Sequence, residues 1–311
     1  MAEIKAAVIV PVYHPDSRLA DLLAALSRQT RQDFEVMVLD SGSDGSYRET
    51  LEAMGGFWAP VGRDYFDHAA TRRMGTEVFA GTEFFVFFTQ DAVPADENAL
   101  AELLAAFDDP RVGCAYGRQL PVPGAGPFGR HARLINYGAE SHVYSLEDRQ
   151  RHGLKTAFMS DSFGAYRASA LAAAGGFPRR AVMGEDMYAA ARLLLAGWRV
   201  AYRASARVFH SHDYSLRQEF KRSFDIGAFQ AREGWIREQF GAAEGAGLRF
   251  VRDEAGFLLR EAPWRLPEMV LRDGMKFLGY RLGLAERHFH PLIKQHLGMN
   301  RGFWEQDTKE R

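Results

Sequence analysis

Cysteine is almost absent: Cys114 is the only one among 311 residues. An intramolecular disulfide and a multi-cysteine zinc site are therefore excluded, and the chain suits a reducing compartment. An excess of either charge is lacking as well. Lys plus Arg number 39 against 40 Asp plus Glu, for a net charge of -1, so the basic field of a general nucleic-acid binder is missing. No apolar run approaches the roughly 20 residues that span a bilayer. The first run, Ala6 to Val10, meets Pro11 where a signal peptide would continue, and a cytoplasmic location is expected. No Gly-x-Gly-x-x-Gly follows it, which argues against a dinucleotide-binding dehydrogenase. Internal repeats and low-complexity tracts are also lacking. The composition is otherwise an ordinary globular mixture, 47% hydrophobic and 25% charged. Its length suits one large α/β domain, or a smaller one with an appendage.

Three short apolar runs organise the first third: Ala6 to Val10, Glu35 to Leu39 and Phe84 to Phe88. None alternates polar with apolar, the pattern of strands buried on both faces of a parallel sheet. Leu19, Leu22, Leu23 and Leu26 form a helical stripe between the first two. Leu100, Leu103, Leu104 and Phe107 mark another helix. Further strands are predicted over Val112 to Tyr116, Ser162 to Arg167 and Trp198 to Val208, and a helix from Glu185 to a stop near Gly197. Gly117 to Arg133, rich in Gly, Pro and Arg, reads as a long surface loop. From Leu216 onward the pattern is helical. The expected boundary therefore divides a catalytic region, 1–215, from a helical one, 216–311.

Open α/β sheets bind ligands beyond the carboxyl ends of their parallel strands. The second strand delivers Asp40 there and the third delivers Asp91. Asp91, with His210 and His212, has the donor types to hold Mg²⁺ or Mn²⁺ while substrate phosphates fill other positions. Asp186 follows Gly184-Glu185 at a helix start and is placed as a general base. Arg72 and Arg73 are candidates to neutralise a diphosphate. Together these parts suggest transfer from a metal-bound diphosphate ester.

Their order resembles the family 2 glycosyltransferases with a GT-A fold, a mixed, mainly parallel sheet flanked by helices. The resemblance rests on Val10-Pro11-Val12-Tyr13, Leu26-Ser27-Arg28-Gln29-Thr30, Val38-Leu39-Asp40-Ser41-Gly42-Ser43, Thr71-Arg72-Arg73-Met74-Gly75, Thr89-Gln90-Asp91-Ala92, Gly184-Glu185-Asp186 and Val208-Phe209-His210. Gly117-Arg118-Gln119-Leu120-Pro121 and His210-Ser211-His212-Asp213-Tyr214-Ser215 are most similar to the bacterial rhamnosyltransferases of polysaccharide synthesis.

The resemblance implies an inverting, metal-dependent transfer of a sugar to a saccharide hydroxyl, with dTDP-L-rhamnose as the favoured donor and UDP- or GDP-sugars as alternatives. Pro11 and Tyr13 would border the nucleotide base, and Asp40 would lie near the base or ribose. Gln90 and Arg118 join the donor-binding set, and Arg72 would face the diphosphate. Asp91, His210 and His212 would hold the metal. Asp186 would be the base, with Glu185 beside it toward the acceptor. Two positions depart from the family pattern: Ser41 replaces a second acid after Asp40, and Asp91 stands without acidic neighbours.

A sugar nucleotidyltransferase would need a Gly-rich phosphate loop where Pro11-Val12-Tyr13-His14-Pro15 stands. A non-catalytic carbohydrate-binding protein would have no use for Asp91, Asp186 and His210 together. In the helical region, Leu266, Met269, Val270, Phe277 and Leu278 outline an apolar face among Arg265, Arg272 and Lys276. Packing on the catalytic region or in a homodimer is the first expectation for it. Peripheral contact with a membrane carrying a lipid-linked acceptor is the second.

Overall fold

A computed structural model describes residues 5–62, 67–241 and 245–309. Its strands are β1 (Ala6–Val12), β2 (Phe34–Asp40), β3 (Phe57–Pro60), β4 (Phe84–Phe88), β5 (Val93–Pro94), β6 (Val112–Leu120), β7 (His142–Tyr144), β8 (Phe163–Arg167) and β9 (Arg199–Phe209). They form one sheet in the order β3-β2-β1-β4-β8-β6-β9-β5, with β7 also on β9. β1, β2, β3, β4, β6 and β9 run one way, and β5, β7 and β8 run against them. The expected mixed, mainly parallel sheet is thus present. The carboxyl ends of β1, β2, β4, β6 and β9 and the amino end of β8 meet at one edge.

The helices of the sheet region are α1 (Arg18–Ser27), α2 (Arg48–Ala53), α3 (His68–Val78), α4 (Ala99–Leu104), α5 (Pro127–Asn136), α6 (Arg149–His152), α7 (Ala168–Ala173) and α8 (Glu185–Leu195). The leucine stripe of α1 and the Leu100/Leu103/Leu104 stripe of α4 are buried on one face of the sheet, with Val8, Val10, Val36 and Phe88. The opposite face packs Ile9, Phe87 and Tyr166 against α8.

Gly117 to Arg133 is not a surface loop. β6 continues to Leu120, and α5 begins at Pro127, whose missing N–H costs nothing in the first turn. Gly117 marks a close approach inside the sheet. A Cβ there would lie 2.3 Å from the Phe163 ring and 2.7 Å from the Ala206 carbonyl, next to a register shift against β9. β3 and β7 escape a reading by apolar runs because each is only three or four residues long and none of its side chains is fully buried.

The helical region comprises α9 (Leu216–Arg232), α10 (Gly234–Phe240), α11 (Ala246–Glu261), α12 (Leu266–Leu284), α13 (Pro291–Leu297) and α14 (Arg301–Lys309). Its core is continuous with that of the sheet. Phe224 and Phe229 of α9 and Trp304 of α14 belong to the same buried cluster as Ile9 and Phe87. Trp304 is fully buried, packs on Phe224 and donates its indole N–H to Asp225 at 2.9 Å. Trp304→Ala is expected to destabilise the protein by about 3–5 kcal/mol, measurable by urea unfolding. None of the helices among the described residues is long and apolar enough to cross a membrane.

Candidate active site

β4 consists of five buried phenylalanine and valine residues and then releases Thr89, Gln90 and Asp91 at the sheet edge. β9 ends at the same edge and releases His210 and His212. Asp91, His210 and His212 converge, with one ligand atom from each lying within 4.8 Å of the others. His210 Nε2 is 3.4 Å from Asp91 Oδ1, and His212 Nε2 is 3.5 Å from Asp91 Oδ2. The two Nε2 atoms are 3.0 Å apart.

Gln119 settles which His210 nitrogen carries the hydrogen. Its carbonyl accepts from the guanidinium of Arg133, a group that only donates, and the same oxygen meets His210 Nδ1 at 2.8 Å. Nδ1 is therefore the donor, and Nε2 of His210 faces His212 and Asp91. Burial, helped by the neighbouring His210, pushes His212 down to about 4, so its imidazole is neutral at pH 7. Burial opposes ionisation of Asp91, but His210 above all, with Thr89, outweighs it and holds the carboxyl well below its ordinary range. Two imidazole nitrogens and a carboxylate converging in this way are a donor set that a divalent cation satisfies. Mixed nitrogen and oxygen donors suit Mn²⁺ better than Mg²⁺, which prefers oxygen alone. Arg18 also approaches Asp91, at 3.3 Å.

A second cluster lies beside the first. Gly184 adopts φ +75°, which glycine reaches without strain, and turns the chain into α8. Glu185 and Asp186 occupy the first turn of that helix. Glu185 is buried and paired with Arg72 of α3. The Arg72 Nε lies 3.1 Å from Asp161 Oδ2. Asp161 is itself buried, accepts from the Tyr166 hydroxyl at 2.8 Å and donates its backbone N–H to Asp186 Oδ2 at 3.4 Å. Two carboxylates thus share one guanidinium, and Asp186 joins them through the Asp161 backbone.

Burial raises Asp161 to about 8, with Asp186 and Glu185 adding to the rise and Arg72 opposing it. Glu185 resists burial because Arg72 and His68 hold it ionised, below its ordinary range. Burial and the charge of Glu185 raise Asp186 above the carboxylate range. A carboxylate so raised is a stronger base than one in water.

The segment 160–162 joins the two clusters. Ser160 Oγ accepts from Gln119 at 2.8 Å on the histidine side. Asp161 reaches Arg72 and Asp186. The Ser162 carbonyl accepts from the Thr89 N–H at 3.3 Å, two residues before Asp91.

The remaining sequence-predicted residues are distributed along the edge. Pro11 lies within β1, paired with Leu39, and Tyr13 just beyond the strand is half exposed. Gln90 clamps the Tyr13 backbone, accepting its N–H at 2.8 Å and donating to its carbonyl at 3.1 Å. Asp40 is buried and committed to its own turn. Its oxygens accept from the Gly42 and Ser43 N–H groups and the Ser43 and Tyr47 hydroxyls, at 2.5–2.9 Å. These bonds overcome burial and lower it to about 2. Arg118 donates to the Tyr137 carbonyl at 3.2 Å, and strand alternation leaves Gln119, not Arg118, at the histidines. Arg72, expected to face a diphosphate, is enclosed by Asp161 and Glu185 instead.

Residues 7–175 match the Glycosyl transferase family 2. The chain belongs to this family. The enzyme is 40% identical to the O-antigen chain rhamnosyltransferase WbaN of Salmonella anatum over 298 residues, covering 96% of this chain and 95% of that one. It is 38% identical to RfbN of Salmonella typhimurium, also an O-antigen chain rhamnosyltransferase, over 97% of this chain and 96% of that one. Among solved structures it is similar to the mannosyltransferase PcManGT of Pyrobaculum calidifontis in complex with GDP-Man and Mn²⁺. There the TM-score is 0.56 at 17% identity, over 99% of this chain and 87% of that one. GalNAc-T7 with UDP, GalNAc and Mn²⁺ matches with a TM-score of 0.53 at 13% identity, over 86% and 58% of the two chains. These two likenesses establish the GT-A fold of the glycosyltransferase.

Sequence reasoning misses Gln119, Asp161 and Tyr166. It places acids beyond the carboxyl ends of strands, but β8 is antiparallel and brings its amino end, with Asp161, to the same edge. Gln119 lies inside the stretch that reads as a loop. Partners that orient a metal-ligating histidine typically govern about 10–100-fold in metal affinity. Gln119→Ala is expected to weaken Mn²⁺ binding by that factor, as calorimetric titration would read, while leaving the sheet intact.

Proposed function

We propose that the enzyme transfers L-rhamnose from dTDP-L-rhamnose to a saccharide hydroxyl in surface-polysaccharide synthesis, with inversion at the anomeric carbon. The observation that carries this reading is the 38–40% identity to two O-antigen rhamnosyltransferases across nearly the whole of every chain. The geometry supports the chemistry. Asp186, raised by burial and by Glu185, takes the proton from the acceptor hydroxyl as its oxygen attacks the sugar. Glu185 is held by Arg72 and cannot serve as a second base. Attack on the face opposite the leaving group inverts the centre.

Asp91, His210 and His212 would hold the cation, which when bound neutralises the departing nucleoside diphosphate. Gln119 keeps His210 Nε2 available to it. Arg72 acts on Glu185 and Asp161, not on the leaving group. Tyr13, fixed by Gln90 through its backbone, is placed to stack on the nucleotide base.

Release of dTDP from dTDP-L-rhamnose in the presence of a lipid-linked oligosaccharide tests the reading, with and without Mn²⁺. Metal-dependent release with that donor, and none with UDP- or GDP-sugars, is the expected result. Faster turnover of a UDP- or GDP-sugar would keep the glycosyltransferase and remove rhamnose.

A further inference from the structure

The apolar residues of α12 divide into two faces. Met269, Arg272, Gly279 and Gly283 are buried. The two glycines press on α9, where a Cβ would lie 2.3 Å from the Phe220 carbonyl and 2.1 Å from that of Phe224. Val270, Leu271, Phe277 and Leu278 point the other way and are 65%, 60%, 67% and 49% exposed. Their spacing of three, four and seven residues places them on one stripe with Arg281. Trp264, 74% exposed, stands one turn before the stripe.

The charges around this stripe are sorted. Between residues 262 and 293, every exposed side chain is apolar, arginine or histidine. The acids in that span all have cationic partners: Glu268 on Arg265 and Arg272, Asp273 on Lys276, and Glu286 on Lys294 and Arg232. Outward charge is therefore carried by Arg281 and Arg287. Such a surface complements an apolar layer bordered by anions, the chemistry of a bilayer with acidic headgroups.

The inward face of the same helix reaches the catalytic edge. Arg272 donates to the Tyr214 carbonyl at 2.5 Å, and the Tyr214 ring stacks on His212. One helix thus separates the exposed stripe from the segment that carries the histidines, roughly 10 Å across.

We infer that the outer face of α12, with Trp264, docks this enzyme on an anionic lipid surface, the helix lying in the plane of the interface. The docking does not depend on which nucleotide sugar is used, so it stands or falls separately from the proposed donor. It orients the histidine-bearing segment toward substrates held at that surface.

Flotation of the full chain with vesicles of phosphatidylglycerol and phosphatidylethanolamine, against vesicles of phosphatidylcholine alone, tests it. The wild type is expected to float with the anionic vesicles and to be released by high salt. The double variant Val270→Glu/Phe277→Glu should lose about tenfold or more of that partition with an unchanged melting temperature. Arg281→Glu/Arg287→Glu should lose the salt-sensitive part. Absence of flotation, or equal flotation of the apolar double variant, would overturn the inference. So would a wild-type dimer that the double variant dissociates without any vesicle binding, since a second copy of the chain would then cover the stripe.

Discussion

Asp186→Asn is expected to lower turnover about 10²–10⁴-fold, the range for loss of a general base, while donor affinity stays within a few-fold. The amide is nearly isosteric and keeps an oxygen for the shorter of the two bonds, from the Met187 N–H at 2.7 Å, giving up only the 3.4 Å bond from the Asp161 N–H, so the helix start should hold its shape. The pH profile supplies a second readout. Burial and Glu185 raise Asp186, so it gains a proton as pH falls while an ordinary carboxylate is still ionised. kcat/KM should therefore drop on the acid side at a pH above the usual carboxylate range. Glu185→Gln removes the neighbouring negative charge and should move that limb to lower pH. The residual activity of Asp186→Asn should lack the limb. Near-normal turnover in Asp186→Asn would remove this residue from the role.

His210→Ala is expected to weaken Mn²⁺ binding by more than roughly 100-fold, beyond the range for an orienting partner such as Gln119. The substitution deletes one of three donors and also leaves the Gln119 carbonyl with Arg133 alone. His212→Ala should cost less, because His212 is more exposed than His210 and, among the described residues, no hydrogen-bond partner like Gln119 orients it. Calorimetric titration with the metal alone separates the two, and unchanged Mn²⁺ affinity in His210→Ala would exclude this cluster as the metal centre.

Most of the sheet and the order of its edge residues are legible in the sequence because buried parallel strands are continuous apolar runs. Ala6 to Val10, Glu35 to Leu39 and Phe84 to Phe88 leave little alternative, and the polar residues at their carboxyl ends reach one edge. The nearness of Asp91, His210 and His212 comes from that logic. The contacts of Arg72 do not. In sequence an arginine near a diphosphate site and an arginine between two carboxylates look alike, and only the antiparallel course of β8 brings Asp161 against it. Asp40 is similarly ambiguous. An acid after a strand serves a ligand or its own turn, and here Gly42, Ser43 and Tyr47 take its oxygens. The apolar face of α12 is visible in the spacing of its residues, but its rotation is not. Met269 turns inward with Arg272, and Leu271 joins the exposed stripe.

Whether the Asp91–His210–His212 cluster binds a metal that recruits a rhamnosyl nucleotide is tested most directly by thermal shift. The titration uses dTDP-L-rhamnose, with and without Mn²⁺, in wild type and His210→Ala. Donor at about 100 times its dissociation constant should stabilise the fold by roughly 2.7 kcal/mol. This gain is expected in wild type only with Mn²⁺ and should vanish in His210→Ala. Equal stabilisation without metal, undiminished stabilisation in His210→Ala, or a response to UDP- or GDP-sugars alone would contradict a rhamnosyltransferase that holds its donor through this metal.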